Sequence, residues 1–310
     1  MLPIMLLPML VDLHQHIWTG PLLDALAARD RLPLVRREGG LAVLHSAAEQ
    51  PYVIDLRSEA PAARTAQLRE DGVDRAVVAI SSPIGIEALP RESALELIDA
   101  HLTGVEALGP EFGFWGPVAV DGADPDEVDR LLDRGAVGIS VTAGALAGPE
   151  RLERLGPVLE RVGRLDVPLF VHPGRAPGQR PAEAEFAEPL WWRPLNDYVF
   201  QMQAAWMTFA AFGRREHPDL RVVFAMLAGG APLLSERLIA RGGPRIDLRD
   251  PNTFYETSSY GPEAVAMTAA ITGLQQLVYG SDRPVIDPQP TGQDRLLQTN
   301  GANLLTVVHV

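Results

Sequence analysis

The sequence predicts a (β/α)₈ TIM barrel, and three observations lead to this fold class. Eight short apolar runs are spread along the 310 residues, and a helical pattern follows each of them. Several runs are continuously apolar, as expected for parallel strands that are covered on both faces. No glycine-rich nucleotide loop follows the first run, which argues against the competing doubly wound sheet. We therefore expect a single domain over residues 1–310, with right-handed crossovers between its strands.

The predicted strands are short, as is usual for a barrel, and several are rich in valine and isoleucine. In chain order they cover residues 9–14, 75–80, 114–120, 136–141, 168–172, 221–227, 253–258 and 276–279. The predicted helices lie between them, and several open with a proline in the first turn or with an Asp or Ser cap. They cover residues 60–70, 91–108, 125–134, 149–164, 194–216, 231–240, 262–272 and 291–298.

Two connections are too long for plain strand-to-helix loops. Residues 17–74 separate the first two strands and include a stretch punctuated by Pro and Gly at 31–57, which predicts an excursion over the barrel mouth. Residues 173–193 follow the fifth strand and carry Trp191 and Trp192. Both excursions leave from carboxyl ends of strands, where barrel active sites are built, so we expect both to act as lids.

Composition excludes several classes of function. The 27 basic and 40 acidic residues give a net charge of −13 without a basic cluster, so no nucleic acid partner is expected. The absence of cysteine excludes disulfides, thiolate metal ligands and cysteine nucleophiles. The apolar start, residues 1–11, lacks a basic region and is too short to cross a bilayer. We expect a cytoplasmic protein without membrane contact that uses histidines, carboxylates or hydroxyls on a small-molecule substrate.

Polar side chains end three of the predicted strands. His14 and His16 are two residues apart, so strand alternation directs both into the barrel. His172 ends the fifth strand, and Asp282 follows the eighth. Three imidazoles and one carboxylate at one rim are a suitable donor set for a single divalent cation, with Zn²⁺ favoured. Taken singly, each is also explained as a buried strand-end histidine or a capping aspartate, so the prediction depends on all four side chains meeting.

Motifs along nearly the whole chain resemble a known superfamily. In order they are VDLHQH, PLFVHPG, LAGGAPLLSER, FYETSSYGP, LVYGSDRP and TNGANLL. They are similar to the amidohydrolase superfamily, and most to the amidohydrolase-related branch with aminocarboxymuconate semialdehyde decarboxylase, related aromatic-acid decarboxylases, lactonases and hydrolases. The resemblance implies that His14, His16, His172 and Asp282 bind one metal and that Asp282 is the catalytic acid and base. It does not specify the substrate.

The chain departs from the pattern of this branch after its sixth strand. The branch commonly has a histidine there that orients or deprotonates the metal-bound water, and the corresponding residue here is Leu227. A leucine neither binds metal nor carries a proton, so Asp282 performs all proton transfer, another residue substitutes, or catalysis is changed or lost. Near the end of the fourth strand, Ser140 and Val141 stand where other members of the superfamily carry a metal-bridging lysine, so a single-metal site is expected.

Four further residues are candidates for substrate binding. Trp18 follows the histidine pair and is expected to wall the pocket, although plain packing also explains it. Arg237 matches an arginine that in the decarboxylase relatives reaches a substrate carboxylate, sometimes across a dimer interface, so the resemblance also implies a homodimer. Glu256 is a candidate extra acid or base, and Arg283 a candidate for fixing the neighbouring aspartate or binding an anionic substrate. The alternative for Arg237 is a solvated helix arginine or a salt bridge, and for Arg283 it is an exposed loop charge. The remaining histidines are expected to be surface or structural residues: His45, His101, His217 and His309.

Three functions stay open at the level of sequence. Zinc lowers the pKa of bound water from about 15.7 to about 7, which predicts hydrolysis of a small amide, ester or lactone with Asp282 moving the proton. The alternative is non-oxidative decarboxylation of a small aromatic or unsaturated carboxylic acid, in which a proton reaches carbon before carbon dioxide leaves. The third is a weakly active or non-catalytic ligand-binding barrel, made credible by Leu227.

Overall fold

The computed structural model describes residues 9–47, 49–180 and 187–306. Eight parallel strands and their flanking helices form a nearly closed (β/α)₈ barrel, which confirms the predicted fold class. The strands in chain order are β1 (Val11–Gln15), β2 (Leu34–Glu38), β3 (Leu41–His45), β4 (Tyr52–Asp55), β5 (Arg75–Val78), β6 (Phe112–Pro117), β7 (Gly138–Thr142), β8 (Leu169–His172), β9 (Val222–Phe224), β10 (Thr253–Glu256) and β11 (Leu277–Val278). The barrel order is β1-β5-β6-β7-β8-β9-β10-β11, and β2-β3-β4 form a separate antiparallel sheet.

The barrel closes between β11 and β1 through individual hydrogen bonds. The Leu13 N–H donates to the Tyr279 carbonyl at 2.9 Å, and the Asp282 N–H donates to the His14 carbonyl at 2.8 Å. The closure makes the first and last barrel strands neighbours. It therefore brings the histidine pair of β1 to the aspartate that follows β11.

The helices surround the barrel, and several of them have a proline in the first turn that favours their start: α1 (Gly20–Ala27), α2 (Pro61–Glu70), α6 (Pro149–Arg164) and α10 (Pro262–Thr272). None of the described helices is both long and apolar enough to cross a bilayer. The predicted helix 194–216 is interrupted by two wider π-helical turns, Pro194–Tyr198 and Phe209–Gly213. The helices are α1 (Gly20–Ala27), α2 (Pro61–Glu70), α3 (Arg91–Glu106), α4 (Asp126–Asp133), α5 (Ala143–Leu146), α6 (Pro149–Arg164), α7 (Val199–Thr208), α8 (Arg214–Glu216), α9 (Ser235–Ala240), α10 (Pro262–Thr272) and α11 (Asp294–Leu305).

The excursion after β1 contains secondary structure that the sequence pattern did not predict. Within the stretch 31–57, β2 and β3 form a hairpin and β4 adds a third strand, with Leu34 opposite His45 and Leu41 opposite Asp55. Gly39 occupies the hairpin turn with a φ of +58°, a conformation that glycine adopts without steric cost. The glycines and prolines that indicated an excursion thus lie between or beside short strands.

The sixth barrel strand is shorter than predicted. The predicted strand covers residues 221–227, but β9 ends at Phe224, and the chain then enters a left-handed turn at residues 226–230. Met226, Leu227 and Ala228 have φ values of +54°, +49° and +55°, a conformation that costs roughly 1–2 kcal/mol for each residue that is not glycine. Gly229 follows, where a Cβ would lie 2.7 Å from the Val199 carbonyl oxygen. The predicted strand thus ends in a turn that accepts a hydrogen bond from Gln203 at the Gly229 carbonyl and donates one from the Met226 N–H to Glu256.

Large aromatic side chains fill the barrel beneath its carboxyl-terminal rim. Trp115 and Phe170 stack with ring centroids 5.0 Å apart, and the Trp115 indole N–H donates to the Leu13 carbonyl at 2.8 Å. The Phe170 ring lies edge-on to His14, 5.2 Å between centroids. This packing provides a rigid apolar floor under the strand-end histidines.

Candidate metal centre

The Nε2 atoms of three histidines converge at the rim of the barrel. His14 Nε2 lies 3.2 Å from His16 Nε2 and 3.0 Å from His172 Nε2. The ligand atoms of all three residues lie within 4.8 Å of one another, and the side chains are buried. Nitrogen ligands about 2.05 Å from a tetrahedral zinc ion stand about 3.3 Å apart, so the two spacings from His14 match those of such a site.

The outer nitrogen of each ring has a fixed partner. Each Nδ1 faces an acceptor oxygen: Glu256 Oε2 at 3.0 Å for His14, the Ala79 carbonyl at 2.8 Å for His16 and the Pro173 carbonyl at 2.9 Å for His172. An acceptor next to Nδ1 favours the tautomer with its hydrogen there, which leaves the Nε2 lone pair free. All three free lone pairs therefore belong to the atoms that converge.

Asp282 stands beside this cluster on its more open side. Its Oδ1 atom lies 3.2 Å from His16 Nε2 and 3.6 Å from His14 Nε2, and the side chain is 17% exposed. The backbone is left-handed, with a φ of +57°, which aspartate tolerates better than most residues. The structure thus brings the four predicted ligands together; that they bind a metal stays a prediction.

A glycine allows the closing segment to pass this close to the cluster. A Cβ at Gly280 would lie 2.0 Å from Glu256 Oε1 and 2.7 Å from the Cβ of His14. Separations this short do not occur between non-bonded atoms, so residue 280 must be glycine while its neighbours keep these positions. Close packing therefore explains why the motif YGSD carries a glycine at position 280.

The electrostatics of the cluster suit a cation. Burial alone would lower the pKa of His14, but the carboxylates of Glu256, Asp282 and Asp12 raise it to about 9. Burial, together with the neighbouring His14 and His16, holds the pKa of His172 well below its usual range. Without metal, the cluster therefore holds a proton on His14 at neutral pH, in the place where a divalent ion fits.

Asp12 is a buried carboxylate beside the cluster that the sequence analysis missed. Its Oδ1 atom accepts the backbone N–H groups of His14 and Ser281, both at 3.0 Å. Its Oδ2 atom accepts the Gln15 amide at 2.8 Å. Asp12 thus ties β1 to the segment that carries Asp282, and its only signal in the sequence is a charged residue inside an apolar strand.

A buried polar network continues from Asp12 toward the mouth of the barrel. The Gln15 side-chain oxygen accepts a hydrogen bond from Arg64 at 2.9 Å, and Arg64 stands 3.7 Å from Glu59. Glu59 accepts the backbone N–H of Trp18 at 2.9 Å. Because Arg64 and Glu59 are both buried, this network fixes the position of Trp18 relative to the histidines.

A cavity of about 530 Å³ lies between the two excursions, and none of the four cluster residues is among the described residues that line it. Trp18, Ser81 and Val285 line it, and each lies within three residues of a cluster residue or of the carbonyl that holds His16. The rest of the wall is mainly aromatic and aliphatic, with Tyr52 from the first excursion and Tyr198 from the segment after β8.

The two excursions meet over this cavity. Trp191, at the end of the second excursion, lines the cavity together with Gln50 from the first. The Gln50 amide donates to the Glu188 carbonyl at 2.6 Å and so links the two segments. Part of the predicted second excursion, residues 181–186, lies outside the described residues. The described parts of both segments form the roof of this cavity; that they act as lids stays a prediction.

The four predicted substrate-binding residues have different surroundings in the structure. Trp18 lines the cavity, whereas Glu256 is buried behind His14. Arg237 is exposed on α9 and is not among the described residues that line the cavity. Arg283 pairs in bidentate fashion with Asp71, at 2.7 and 3.0 Å. Neither arginine is therefore brought to the cluster, and their substrate contacts stay predictions.

The remaining predicted positions differ in burial. Leu227 is buried and contributes no polar atom at the place where the resemblance implies a histidine. His101 is buried in α3, where burial lowers its pKa to about 3, so it is structural and not a surface residue. His45 and His217 are half-buried, and His309 lies outside the described residues.

Comparison with known proteins shows the family and the fold. Residues 11–300 match the family model described as amidohydrolase. No curated protein matches the chain in sequence. Among solved structures, the fold is similar to 5-carboxyvanillate decarboxylase from Sphingomonas paucimobilis, with a TM-score of 0.71 and 15% identity over 96% of this chain and 99% of that one.

Two further solved structures are similar over nearly the full chain. For 2,6-dihydroxybenzoate decarboxylase from Rhizobium the TM-score is 0.66, with 17% identity over 96% of this chain and 99% of that one. For 5-carboxyvanillate decarboxylase from Novosphingobium aromaticivorans, complexed with manganese and 4-hydroxy-3-methoxy-5-nitrobenzoic acid, it is 0.60, with 15% identity over 98% and 91%. At these identities the likeness is one of fold.

Proposed function

Because the chain belongs to the amidohydrolase family, we propose that it is a metal-dependent enzyme that removes carbon dioxide from a small aromatic or unsaturated carboxylic acid. The observation that carries the proposal is the largely apolar cavity between the two excursions, whose wall includes Trp18 and Val285, close in sequence to His16 and Asp282. Its volume of about 530 Å³ suits one substituted ring. The similar structures named as decarboxylases of aromatic acids favour this reaction over hydrolysis.

In this proposal His14, His16, His172 and Asp282 hold one divalent ion. A bound ion supplies positive charge that attracts a carboxylate and stabilises negative charge developing on the substrate. Three imidazole donors favour zinc, while the manganese in a similar structure makes that ion the competing candidate. Metal analysis of the purified protein, beside His14→Ala, tests both the site and the identity of the ion.

The residues of the chain then divide the remaining work. Asp282 delivers a proton to the ring carbon that carries the carboxylate. The bond from that carbon to carbon dioxide breaks next, and its electron pair restores the π system of the ring. Asp282 regains a proton from water through its exposed side. Leu227 cannot carry a proton, so Asp282 performs this transfer alone, while Trp18 and Tyr52 keep water from the ring.

Hydrolysis of a small amide, ester or lactone is the second candidate, and a specific observation favours it. Arg193 is the one cationic side chain among the described cavity-lining residues, and it pairs with Glu188 at 2.7 Å. Nearby, Arg175 pairs with Asp197 at 2.6 Å. Neither guanidinium is free for a substrate carboxylate, so an uncharged substrate would also suit this cavity.

The deciding experiment incubates the zinc-loaded and manganese-loaded protein with substituted benzoates, unsaturated acids, lactones, esters and amides. Carbon dioxide release is measured beside acid production. We expect carbon dioxide from at least one acid, at least a 100-fold loss in Asp282→Asn, and full activity in Glu38→Gln, an exposed control on β2. Acid production without carbon dioxide would replace the proposal with hydrolysis. No turnover by a metal-loaded protein would favour the ligand-binding barrel.

A further inference from the structure

A single carboxylate in the roof of the cavity has an oxygen without a partner. Glu49 lies between β3 and β4 and lines the cavity. Its backbone N–H donates to the Ser46 hydroxyl at 3.0 Å, which fixes this part of the roof. Its Oε1 atom is buried and has no hydrogen-bond partner among the described residues. A buried carboxylate oxygen without a donor is costly, so this position calls for a ligand group.

The described surroundings of Glu49 supply no charged donor to this oxygen. Its carboxyl group accepts a hydrogen bond from the phenol of Tyr198. Burial and the charge of Glu49 hold the pKa of Tyr198 well above its usual range, so that phenol keeps its proton and remains the donor. Arg175 and Arg193 are the nearby cations, but Asp197 and Glu188 occupy their guanidinium groups. Within the described part of the chain, neither arginine forms an ion pair with Glu49.

We propose that Glu49 determines specificity by accepting a hydrogen bond from a hydroxyl or amino group on the ring of the substrate. This inference rests on the proposed function, because it assumes a ring in the cavity. A reacting carboxylate would be repelled by Glu49 and drawn to the metal centre, so the donor group lies elsewhere on the ring. The substrate class is therefore a hydroxylated or aminated aromatic acid.

The same carboxylate discriminates against other ring substituents. A methoxy group offers no hydrogen and leaves Glu49 unpaired, and a second carboxylate adds like charge. A site built to bind a donor rejects the analogue that lacks one, because its buried polar atom then loses both water and partner. Glu49 would thus favour binding of a ring with a hydroxyl group over one with a methoxy group at the same position.

The test measures binding instead of turnover. Dissociation constants are determined by calorimetry for matched hydroxy and methoxy benzoates, substituted at the 3- or 4-position, on the zinc-loaded full chain. The same pairs are measured as benzamides, which carry no carboxylate. A hydrogen bond to a charged group predicts about a 10- to 100-fold preference for hydroxyl at one ring position. Glu49→Gln should reduce this ratio several-fold, and Glu49→Ala should bring it to about one.

Controls separate this inference from the proposed function. Glu38→Gln makes the same chemical change on an exposed strand and should keep the wild-type ratio. Metal content and melting temperature identify any variant that is misfolded. A hydroxyl preference that depends on Glu49, without carbon dioxide release, would keep this inference and reject the decarboxylase. The inference is wrong if the wild type shows no preference, if Glu49→Ala retains it, or if neither ring series binds.

Discussion

Nδ1 of His14 lies 3.0 Å from Oε2 of Glu256, and both side chains are almost fully buried. Glu256 also accepts the backbone N–H of Ser258, as well as the Ser258 hydroxyl at 2.8 Å. These bonds fix the carboxylate independently of any ion. An anion behind an imidazole orients the ring and makes its other nitrogen a better metal ligand.

We therefore expect Glu256→Gln to weaken metal binding by about 10- to 100-fold while the fold is retained. The substitution keeps the size of the side chain and removes its charge. Competition with a chromophoric chelator measures the affinity. Glu263→Gln, on the exposed surface of α10, should bind as the wild type does. An unchanged affinity in Glu256→Gln would show that the carboxylate does not support the ligand.

Metal affinity should rise with pH. The pKa of His14 in the metal-free protein is about 9, because nearby carboxylates outweigh burial, so at pH 7 an incoming ion must displace a proton. Release of one proton predicts about a tenfold gain in affinity per pH unit between pH 7 and pH 9. Calorimetry in buffers of different ionisation enthalpy counts the protons. A count near zero would contradict the raised pKa.

The same shift makes the metal-free protein depend on pH in the opposite sense. The folded-state pKa of His14 lies above its unfolded value of 6.5, so its contribution to stability is complete below 6.5 and is lost as pH rises toward 9. Thermal unfolding of the chelator-treated protein should therefore shift to lower temperature across this range. Other groups titrating over this range would add to the shift, so His14→Gln serves as the reference.

Glu87 provides an independent test in the connection after β5. It is fully buried with the Ser82 hydroxyl on Oε1, and burial raises its pKa to about 7. Its contribution to stability is present below the unfolded value of 4.5 and is lost as pH rises through 7. Glu87→Gln should be about 3 kcal/mol more stable than wild type at pH 8.5 and similar at pH 5. Urea unfolding at both pH values checks this, and equal differences would reject it.

Gly280→Ala should damage the metal centre through steric overlap. The added methyl group would meet Glu256 Oε1 and the Cβ of His14, so the pair must separate. Overpacking of this kind costs typically 1–3 kcal/mol, and metal affinity should fall with it. Gly163→Ala, in helix α6 with no atom within 4 Å of the new methyl, is the matched control and should be neutral or slightly stabilising. Equal behaviour of both variants would contradict this account.

The four ligand candidates could be predicted because their placement follows from local rules. Side chains two apart on a strand share a face, and the carboxyl ends of barrel strands share a rim, so His14, His16, His172 and Asp282 were expected to lie close together. The motifs around these residues, which occur in the chain order of the amidohydrolase superfamily, supported the same four ligands. What remained hidden depended on partners distant in sequence.

Asp12 and Arg283 illustrate this limit. Asp12 meets Ser281, 269 residues away, only because the first and last barrel strands are neighbours. Arg283 was expected near its neighbouring aspartate, but the end of α2 places Asp71 within reach of its guanidinium. The left-handed turn at residues 226–230 was missed for a related reason, since its hydrogen-bond partners Gln203 and Glu256 are distant in sequence.

The barrel closure carries a mechanical consequence. His14 and His16 lie at the end of the first barrel strand and Asp282 follows the last one. An ion bound by all three would therefore link the two ends of the sheet at the seam where the barrel closes. Stripping that ion would loosen the seam before any other part of the barrel. Exchange of backbone hydrogens for deuterium should then accelerate first around Leu13 and Tyr279. A bound ion would in that case stabilise the barrel closure in addition to its proposed chemical role.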